Sequence, residues 1–378
     1  MRILLINIFY APNIVGGAEI STQKLAEELN KTNEVCVLCN GIDRYIKDDV
    51  NGITVYRTKV VFEMKNPFIR VLTRNFKVQC YKQIKDIILE IQPDIIHTNN
   101  LHEFSPIVWK ICHDIHIPIV HTIRDYSLLG NWKPNEKFVI KMCSRYVDAV
   151  TAPSQFTLNH FINKGMFKKA KYSLCIPNAI DYIYENTLKT INEKISRDRT
   201  IIKYAYIGRF SKEKGIDWLI KVFNELEIDA ELHLFGEGKL TSYSEKSIGI
   251  DNRIIKHGFV SQEELVEQLK NIDVVVAPSQ WDEPFGRIIL DGFKCGCPVI
   301  VTKRGGMPEV VDNGINGLVV EDESDDSLKK ALLFLYDKNN LIEMIPHTIG
   351  KLTRYSIEEQ AKSFMALYNK TVGQENEV

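Results

Sequence analysis

Short apolar runs alternate with helix-like segments along nearly the whole chain, and this alternation limits the fold more than any other feature. RILLINI at the start is followed by a helical pattern from about Ala18 to Asn30, and EVCVLC, DIIHT, PIVHTI and DAVTAP continue the series with helical stretches between them. Strands that alternate with helices form parallel sheets covered by helices on both faces. The sequence therefore predicts an α/β, doubly wound fold.

A polar segment interrupts this alternation near the middle of the chain. Residues from about Tyr184 to Arg199 lack a convincing apolar face and are interpreted as a linker. The alternation then restarts with IKYAYIG and continues through AELHLFG, RIIKHGF, DVVVAPS, PVIVT and GLVV, where Ser261 and Glu264 predict a capping box for one helix. Two similar series on either side of a break indicate two domains.

The predicted organisation is an N-terminal Rossmann-like domain at 1–183, a C-terminal one at 200–350 and a helical segment at 351–378 that packs back across both. Ligands of such sheets bind beyond the carboxyl ends of the strands. We therefore expect the two domains to face an interdomain cleft that holds the active site.

Composition bounds the class of protein. A chain of 378 residues with a formal net charge of −1 is long enough for two cores and carries no basic excess that would indicate a nucleic-acid binder. The eight cysteines form no metal pattern; Cys36 and Cys39 lie three apart in a predicted strand and point to opposite faces. Asn7 interrupts the first apolar run, which is better explained as a buried strand than as a signal peptide, and no later stretch approaches a membrane span. These features predict a cytoplasmic protein with reduced cysteines.

The segment from Pro278 to Gly306 combines an acid, Pro-Phe-Gly and a helical stretch within about one βαβ length. Glu283 lies in the loop before the predicted helix, and Asp291 follows two turns later near the same face. A loop carboxylate can accept hydrogen bonds from sugar hydroxyls, while free backbone N–H groups at a helix start hold an anion. This combination suits a sugar attached to a phosphate.

A second loop, GRFSKEKG, follows the first strand of the predicted C-terminal domain. Arg209 and Lys214 project from it, between Gly208 and Gly215, and two cations on a strand-to-helix loop suit a diphosphate that leaves with its charge. The alternative is a solvated basic turn. Neither a three-glycine dinucleotide fingerprint nor a Walker A motif is present, which argues against a dehydrogenase.

The predicted N-terminal domain offers fewer candidates. Gly16 and Gly17 lie between a strand and a helix, where side chains would block a phosphate, although such pairs often merely make a turn. Polar residues at or just beyond strand ends are His97, His121, Arg124 and Asp125. A lone histidine there is more often structural than a base or acceptor ligand. Asp125 falls in a loop that we expect to face the cleft.

Taken together, these motifs resemble the family 4 retaining glycosyltransferases of the GT-B fold. The resemblance covers nearly the whole chain and rests on the order and spacing of GGAE, PDIIH, APSQF, PNAID, GRFSKEKG, APSQWDEPFG, CGCPVI, GGMPEVV and NGLVV. It implies a nucleoside diphosphate sugar as the donor substrate, no cofactor and no metal. It also implies retention at the anomeric carbon, by same-face attack in which the departing phosphate oxygen takes the acceptor's proton.

The resemblance assigns roles to particular positions. Arg209 and Lys214 match the pair that grips the diphosphate, and Glu283 matches the first acid of the family's E-x7-E signature, which contacts the donor sugar. Backbone amides would hold donor hydroxyls or phosphate, and those are the amides of Phe285, Gly286 and Arg287. The catalytic set is thus expected to be Glu283, Arg209, Lys214 and Asp125, with donor contacts also from Gly16, Gly17, Arg124 and Asp291.

Two positions depart from the family pattern. Asp291 stands where the family usually has a glutamate for the ribose hydroxyls, which shortens the reach by about 1.5 Å. Arg124 precedes Asp125 where many members have a histidine, and an arginine cannot act as a base near neutral pH. Arg124 can instead hydrogen-bond donor or acceptor, or pair with a negatively charged sugar. A nucleotide-sugar-binding homologue without catalysis and a sugar-nucleotide 2-epimerase are the alternative functions.

The acceptor is predicted to be a growing or lipid-linked surface glycan, with His97 as an acceptor-binding candidate. Basic residues at Arg70, Arg74, Lys77, Lys82 and Lys85 lie among Phe68, Val71, Leu72 and Phe76. This Arg70–Lys85 region can rest on an anionic membrane surface, which would make the protein peripheral at the inner face of the membrane. The alternative is a solvated basic helix.

Overall fold

The computed structural model describes residues 1–13, 16–41, 45–58, 78–101, 106–130, 132, 134–241, 251–321 and 323–373. The chain divides into two compact units: unit 1 comprises Met1–Ala179 with Ile357–Val378, and unit 2 comprises Ile180–Ser356. Each unit is built on its own sheet, which confirms the predicted α/β class.

Unit 1 contains an eight-stranded sheet in the order β3-β4-β2-β1-β5-β6-β7-β8, in which only the β3–β4 pair is antiparallel. Its elements are β1 (Arg2–Ile6), α1 (Gly17–Asn30), β2 (Glu34–Asn40), β3 (Ile46–Val50), β4 (Ile53–Thr58), α2 (Val78–Ile91), β5 (Ile95–Thr98), α3 (Ile107–Asp114), β6 (Ile119–Thr122), α4 (Pro134–Cys143), β7 (Ala149–Ala152), α5 (Gln155–Asn163), β8 (Tyr172–Cys175) and, after unit 2, α13 (Ile357–Thr371).

Two apolar layers cover the faces of this sheet. One joins the strands to α2, α3, α4 and α5, and the other joins them to α1 and α13. Cys36 packs in the first layer and Cys39 in the second, as expected for strand residues three apart. The seven cysteines whose side chains the structure describes, all except Cys80, are free thiols.

The β3–β4 hairpin at the sheet edge was not predicted. Asn51 and Gly52 both have positive φ, 55° and 77°, and Asn-Gly between two short strands is the usual signal for a type I′ turn. The strand β8 at the opposite edge was also missed, because most of its side chains are exposed and give no apolar run.

Unit 2 contains a six-stranded parallel sheet in the order β11-β10-β9-β12-β13-β14. Its elements are α6 (Tyr184–Ser196), β9 (Ile202–Ile207), α7 (Ile216–Asn224), β10 (Ala230–Phe235), β11 (Ile254–Gly258), α8 (Gln262–Lys270), β12 (Val274–Ala277), α9 (Ile288–Lys294), β13 (Val299–Thr302), α10 (Met307–Val310), β14 (Gly317–Val320), α11 (Asp325–Tyr336), α12 (Lys338–Met344) and a 3-10 helix at Ile345–Tyr355. Of the predicted capping box, the Ser261 half is confirmed: its hydroxyl accepts the Glu264 backbone N–H at 3.1 Å and caps α8.

The predicted linker is wrong, because that segment forms the helix α6 and belongs to unit 2. Ile191 is buried in the unit 2 core, and the ammonium of Lys194, which is 2% exposed, donates to the carbonyl oxygens of Leu269, at 2.9 Å, and Ile272. These carbonyls lie at the end of α8, where helices leave C=O groups without intrahelical partners. Because Lys194 occupies a buried position, this segment lacks the regular apolar spacing by which an amphipathic helix is recognised in a sequence.

The C-terminal segment also differs from its predicted bounds. Residues up to Ser356 belong to unit 2, and α13 begins at Ile357 and packs against α1 in unit 1. Within the described residues, no helix has both the length and the hydrophobicity needed to cross a bilayer.

Candidate functional site

The carboxyl edge of the unit 2 sheet gathers the loops that the sequence singled out. β9 and β12 are direct neighbours in the sheet, and β13 lies beside β12. All three strands are parallel. The loop that follows β9 carries Arg209 and Lys214, and the loop that follows β12 carries Glu283, so both loops leave the same edge.

Lys214 and Glu283 meet at this edge. The Lys214 ammonium contacts the Glu283 carboxylate, with 26% and 13% of the two side chains exposed. The Ser279 hydroxyl donates to the same carboxylate oxygen at 3.0 Å, and the ammonium lies 5.7 Å from the centre of the Trp281 ring. Ser279 and Trp281 thus adjoin one half-buried ion pair, Lys214–Glu283, at the carboxyl edge of the sheet.

Close backbone packing fixes the Glu283 loop. Gly305, in the loop after β13, has φ +60°, and a Cβ there would lie 2.1 Å from the Glu283 carbonyl oxygen. The neighbouring Gly306 N–H donates to that same carbonyl at 2.7 Å. On the other side, a Cβ on Gly215 would lie 1.9 Å from the Pro278 carbonyl oxygen. The loops can approach this closely only because glycine occupies both positions.

Arg209 does not join the Lys214–Glu283 pair. Its side chain is 65% exposed and forms an ion pair with Glu213 at 2.7 Å, four residues along the same loop. Its guanidinium is therefore presented to solvent at the sheet edge, whereas Lys214 is held by protein groups.

Asp291 lies on α9 and is almost completely buried. Its carboxylate accepts the Gln262 side-chain N–H at 3.0 Å, and burial raises the pKa of this carboxyl, with Arg287 and Lys294 acting in the opposite direction. Phe285 is buried and packs edge-on to Tyr355 with ring centres 5.8 Å apart. The structure therefore places Asp291 inside the protein beside Gln262, a partner that the sequence did not indicate.

The residues before α9 form a loop, as the sequence predicts. Gly286 has φ +86°, a conformation that glycine adopts readily, and Arg287 is the N-terminal cap of α9. The roles predicted for the amides of Phe285, Gly286 and Arg287 remain predictions.

In unit 1, Arg124 and Asp125 follow β6 and lie in a network of side-chain amides. The Arg124 guanidinium donates to Asn99 at 3.0 Å and to Asn178 at 2.7 Å. Asp125 accepts the Ser127 backbone N–H at 2.8 Å and the Asn100 side-chain amide at 3.2 Å. Arg124 is therefore held by neutral oxygens at the carboxyl edge of this sheet, and sequence reasoning missed all three asparagines.

His97 lies wholly inside unit 1. One ring nitrogen is 2.6 Å from the Tyr368 hydroxyl and the other 2.6 Å from the Thr122 hydroxyl, and burial lowers the pKa of this imidazole well below its usual range. His121 is likewise buried, which lowers its pKa to about 3. Both ring nitrogens of His97 are used within the core, so this geometry does not favour its predicted acceptor-binding role.

Gly16 and Gly17 stand at the start of α1. Gly16 is the N-terminal cap with φ −164°, its N–H donates to the Glu19 carboxylate at 2.7 Å, and a Cβ would make only ordinary contact with that carboxylate. Among the residues that the structure describes, neither backbone strain nor crowding requires glycine at position 16. The donor-binding role of Gly16 and Gly17 stays a prediction.

Arg57 is buried beside the segment that follows β1, and the sequence did not indicate its role there. It is 7% exposed, and its guanidinium donates to the backbone carbonyls of Tyr10, at 3.3 Å, and Ala11, and pairs with Asp48 at 2.8 Å. Arg57 therefore anchors the segment that leaves β1.

The basic Arg70–Lys85 region falls largely outside the described residues. Arg70, Arg74 and Lys77 are among the residues that are not described, whereas Lys82 is exposed and Lys85 partly exposed on α2.

Two family models match the chain, one over each sheet. The model for glycosyl transferases group 1 matches residues 189–347, which contain the Lys214–Glu283 pair, and the model for glycosyltransferase family 4 matches residues 15–182. The chain belongs to the group 1 glycosyltransferases. This confirms the family that the motifs resembled.

Relatives of this glycosyltransferase align along most of its length. A 42.6 kDa protein of the cps region of Klebsiella pneumoniae is 28% identical over 82% of this chain and 87% of its own. A glycosyltransferase of Methanocaldococcus jannaschii is 25% identical over 97% and 98% of the two chains. The lipopolysaccharide 1,2-N-acetylglucosaminetransferase of Salmonella typhimurium is 26% identical over 66% and 67%.

Solved structures with the same architecture confirm the GT-B fold. Sucrose-phosphate synthase from Thermosynechococcus elongatus superposes with a TM-score of 0.79 at 19% identity, covering 99% of this chain and 100% of its own. The HepE protein of Anabaena, solved in complex with UDP, gives a TM-score of 0.76 at 19% identity over 98% and 100%. At this level of identity the similarity shows the fold alone.

Proposed function

We propose that this glycosyltransferase moves a sugar from a nucleoside diphosphate sugar to a hydroxyl of a glycan or lipid-linked glycan, with retention of anomeric configuration. The observation that carries the proposal is the Lys214–Glu283 contact at the carboxyl edge of two adjacent strands. The half-buried Lys214 cation suits the diphosphate and the Glu283 acid suits the sugar. These are the two groups that the reacting bond joins.

Lys214 and Arg209 are proposed to balance the charge of the diphosphate without a metal. When the donor binds, its phosphate competes with Glu283 for the Lys214 ammonium, and Glu283 becomes available to sugar hydroxyls. Arg209 is exposed, and among the described residues its guanidinium pairs with Glu213 of its own loop, so it can turn to the phosphate without breaking a buried contact. Charge-assisted hydrogen bonds of this kind are strongest where the leaving group gains charge.

Further donor contacts are proposed for Asp291 with the ribose, for the amides of Phe285, Gly286 and Arg287, and for Arg124, Gly16 and Gly17. Asp125 is proposed to contribute to catalysis from the unit 1 edge. The Arg124 guanidinium donates to the amide oxygens of Asn99 and Asn178, which fixes its position at the carboxyl edge of the unit 1 sheet.

Retention is proposed to follow from same-face attack. The bond between the anomeric carbon and the phosphate oxygen breaks, the acceptor oxygen bonds to that carbon, and the acceptor proton passes to the departing phosphate oxygen. The nucleoside diphosphate itself is then the proton acceptor, so the chemistry does not need the histidine that Arg124 replaces.

A surface glycan is proposed as the acceptor because relatives come from a cps region and from lipopolysaccharide synthesis. Such an acceptor would be met in the cytoplasm or at the inner face of a membrane, and the Arg70–Lys85 region is a proposed contact there.

The experiment compares transfer by wild type, Lys214→Ala and Glu283→Gln, using radiolabelled nucleotide sugars and glycolipid extract. We expect each variant to lose about 10²- to 10³-fold in turnover, as for removal of a charge-stabilising group. Matched controls are Lys221→Ala and Glu267→Gln, which lie in exposed ion pairs with Asp325 and Lys270 and should leave turnover unchanged.

Other outcomes identify the alternatives. Donor conversion that needs no acceptor would indicate an epimerase, and nucleotide binding without turnover would indicate a non-catalytic homologue. Near-normal transfer by both Lys214→Ala and Glu283→Gln would refute the proposed site.

A further inference from the structure

The helix α4 in unit 1 exposes apolar side chains beside basic ones. Phe138 is 68% exposed and Met142 is 39% exposed, and they lie one helical turn apart. Lys137, Lys141 and Arg145, on and just beyond the same helix, are also exposed. The opposite face, which includes Ile140 and Cys143, is buried in the unit 1 core.

These exposed residues form two adjacent stripes. At 100° per residue, Lys137, Lys141 and Arg145 follow one line along the surface, and Phe138 with Met142 follows the next, so that all five lie within an arc of roughly 140°. The side of the helix that faces solvent is therefore basic along one line and apolar along the other.

A second set of lysines adjoins α4 at the end of α5. The Lys141 ammonium lies 2.7 Å, and the Lys168 Cε 3.3 Å, from the point where Gly165 would carry a Cβ. Lys164 precedes that glycine and is exposed, as are Lys168 and Lys169. No acidic side chain of the described residues forms an ion pair with Lys141, Lys164 or Lys168, so these like charges are gathered without compensation.

The charge of this region contrasts with that of the whole chain. Residues 134–173 contain seven Lys and Arg against two acids, whereas the full chain has a net charge of −1. Of the two acids, Glu136 is 8% exposed, whereas Asp148 is exposed and its carboxylate accepts the Ile119 backbone N–H at 2.8 Å. The positive charge is therefore concentrated at the surface.

We propose that this basic and apolar face of α4 and the end of α5, here called the α4 surface, docks on an anionic phospholipid bilayer. Its members are Lys137, Phe138, Lys141, Met142, Arg145, Lys164, Lys168 and Lys169. Lysines attract anionic headgroups, and an exposed phenylalanine and methionine gain by entering the boundary between headgroups and acyl chains. A nucleic-acid duplex would pair its phosphates with the lysines alone and leave Phe138 and Met142 in water.

Binding through the α4 surface leaves the carboxyl edge of the unit 1 sheet accessible. The strands β7 and β8 begin near residues 149 and 172, so Lys164, Lys168 and Lys169 lie toward their amino ends, opposite the edge that carries Arg124 and Asp125. The inference does not depend on the proposed transfer reaction, because lipid binding is measured without donor or acceptor.

The test is co-sedimentation of the full chain with vesicles of phosphatidylcholine, with and without phosphatidylglycerol. We expect binding only to the anionic vesicles, and loss of binding as salt is raised. Each lysine near an anionic surface contributes about fivefold to partitioning, so the triple variant Lys141→Ser, Lys164→Ser and Lys168→Ser should bind roughly 100-fold more weakly.

The matched control removes Lys330 and Phe334 from α11 of unit 2, as Lys330→Ser with Phe334→Ser. Lys330 is paired with Asp326 at 2.6 Å, and Phe334 is 43% exposed. This variant therefore removes an exposed aromatic side chain and a lysine whose charge is already paired. It should bind vesicles as wild type does, and all variants should unfold at unchanged temperature because only exposed side chains are altered.

Insertion of the apolar stripe is tested with Phe138→Trp, whose fluorescence should shift to shorter wavelength on anionic vesicles, while Phe334→Trp should not respond. The proposal is overturned if the triple variant binds as wild type does, if phosphatidylcholine alone binds equally, or if no vesicle binds. Equal binding to an RNA homopolymer without a Phe138→Trp response would also overturn it, in favour of a general polyanion site. Transfer activity assayed in detergent reports separately on the proposed function.

Discussion

The glycine at position 305 offers a test of how the loop that carries Glu283 is held. In Gly305→Ala, the new Cβ would meet the Glu283 carbonyl oxygen at 2.1 Å and the Glu283 backbone nitrogen at 2.5 Å. Real Cβ atoms are essentially never closer than 3.0 Å to such atoms, so the Glu283 loop must move by about 0.9 Å. Backbone atoms cannot rotate aside as a side chain can.

Two separate costs follow from this displacement. The left-handed backbone at φ +60° costs alanine about 1 kcal/mol of unfolding free energy. A shift of about 1 Å at a reacting group costs on the order of 100-fold in rate. Gly305→Ala should therefore lose most of its turnover, and its loss of stability should exceed the conformational cost by the strain of the displaced loop, about 1–3 kcal/mol.

Gly314→Ala is the matched control. Gly314 has φ +80° in the same unit, with nothing within 4 Å of the new Cβ, so only the conformational cost applies. Chemical denaturation and transfer assays on both variants separate the two effects. Equal turnover in the two variants would refute the reasoning that close packing at Gly305 positions Glu283.

The remaining predictions concern stability of unit 1. Burial lowers the pKa of His97 and of His121, the latter to about 3, so the unfolded chain binds more protons below about pH 6.5, and each histidine should remove about 1.4 kcal/mol of stability per pH unit as the pH falls. Hydrogen exchange of β5 and β6 amides at pH 7 and pH 5 measures this, and equal opening free energies would contradict it. Arg57→Met should cost about 3 kcal/mol, because it leaves the Ala11 carbonyl without its charged donor. Arg2→Met, at a side chain that is 38% exposed, should cost less than about 1 kcal/mol. Urea unfolding of the two variants checks the difference, and similar midpoints would argue against an anchoring role.

Local patterns in the sequence were sufficient to predict most strands of both sheets and the edge where the site lies. Periodicity identifies a buried strand from its own residues, and parallel topology then brings the loops after β9 and β12 together without further information. For that reason Lys214 and Glu283, 69 residues apart, were both placed at one edge, where the structure finds them in contact.

Features that depend on distant partners were not predictable in this way. The helix α6 looked like a linker because its buried face includes Lys194, whose partners are carbonyls 75 and 78 residues away. The role of His97 depends on Tyr368, 271 residues along the chain. Asp291 is similarly held by Gln262 from another helix. The residues around each of these positions do not predict a contact with so distant a partner.

The β3–β4 hairpin is a different kind of omission. Asn51-Gly52 is a local signal for a two-residue turn, and it was available in the sequence. Its flanking strands are short, and β3 carries mainly polar residues, so the apolar runs used to find strands did not reveal it.

The central claim is that this protein transfers a sugar from a nucleoside diphosphate donor through the site at Lys214 and Glu283. The most direct measurement is release of the nucleoside diphosphate by the wild-type protein, followed with and without a glycan or glycolipid acceptor and repeated with Glu283→Gln. The account predicts acceptor-dependent release by the wild type and its near-complete loss in Glu283→Gln. Acceptor-dependent release that persists in Glu283→Gln would contradict it.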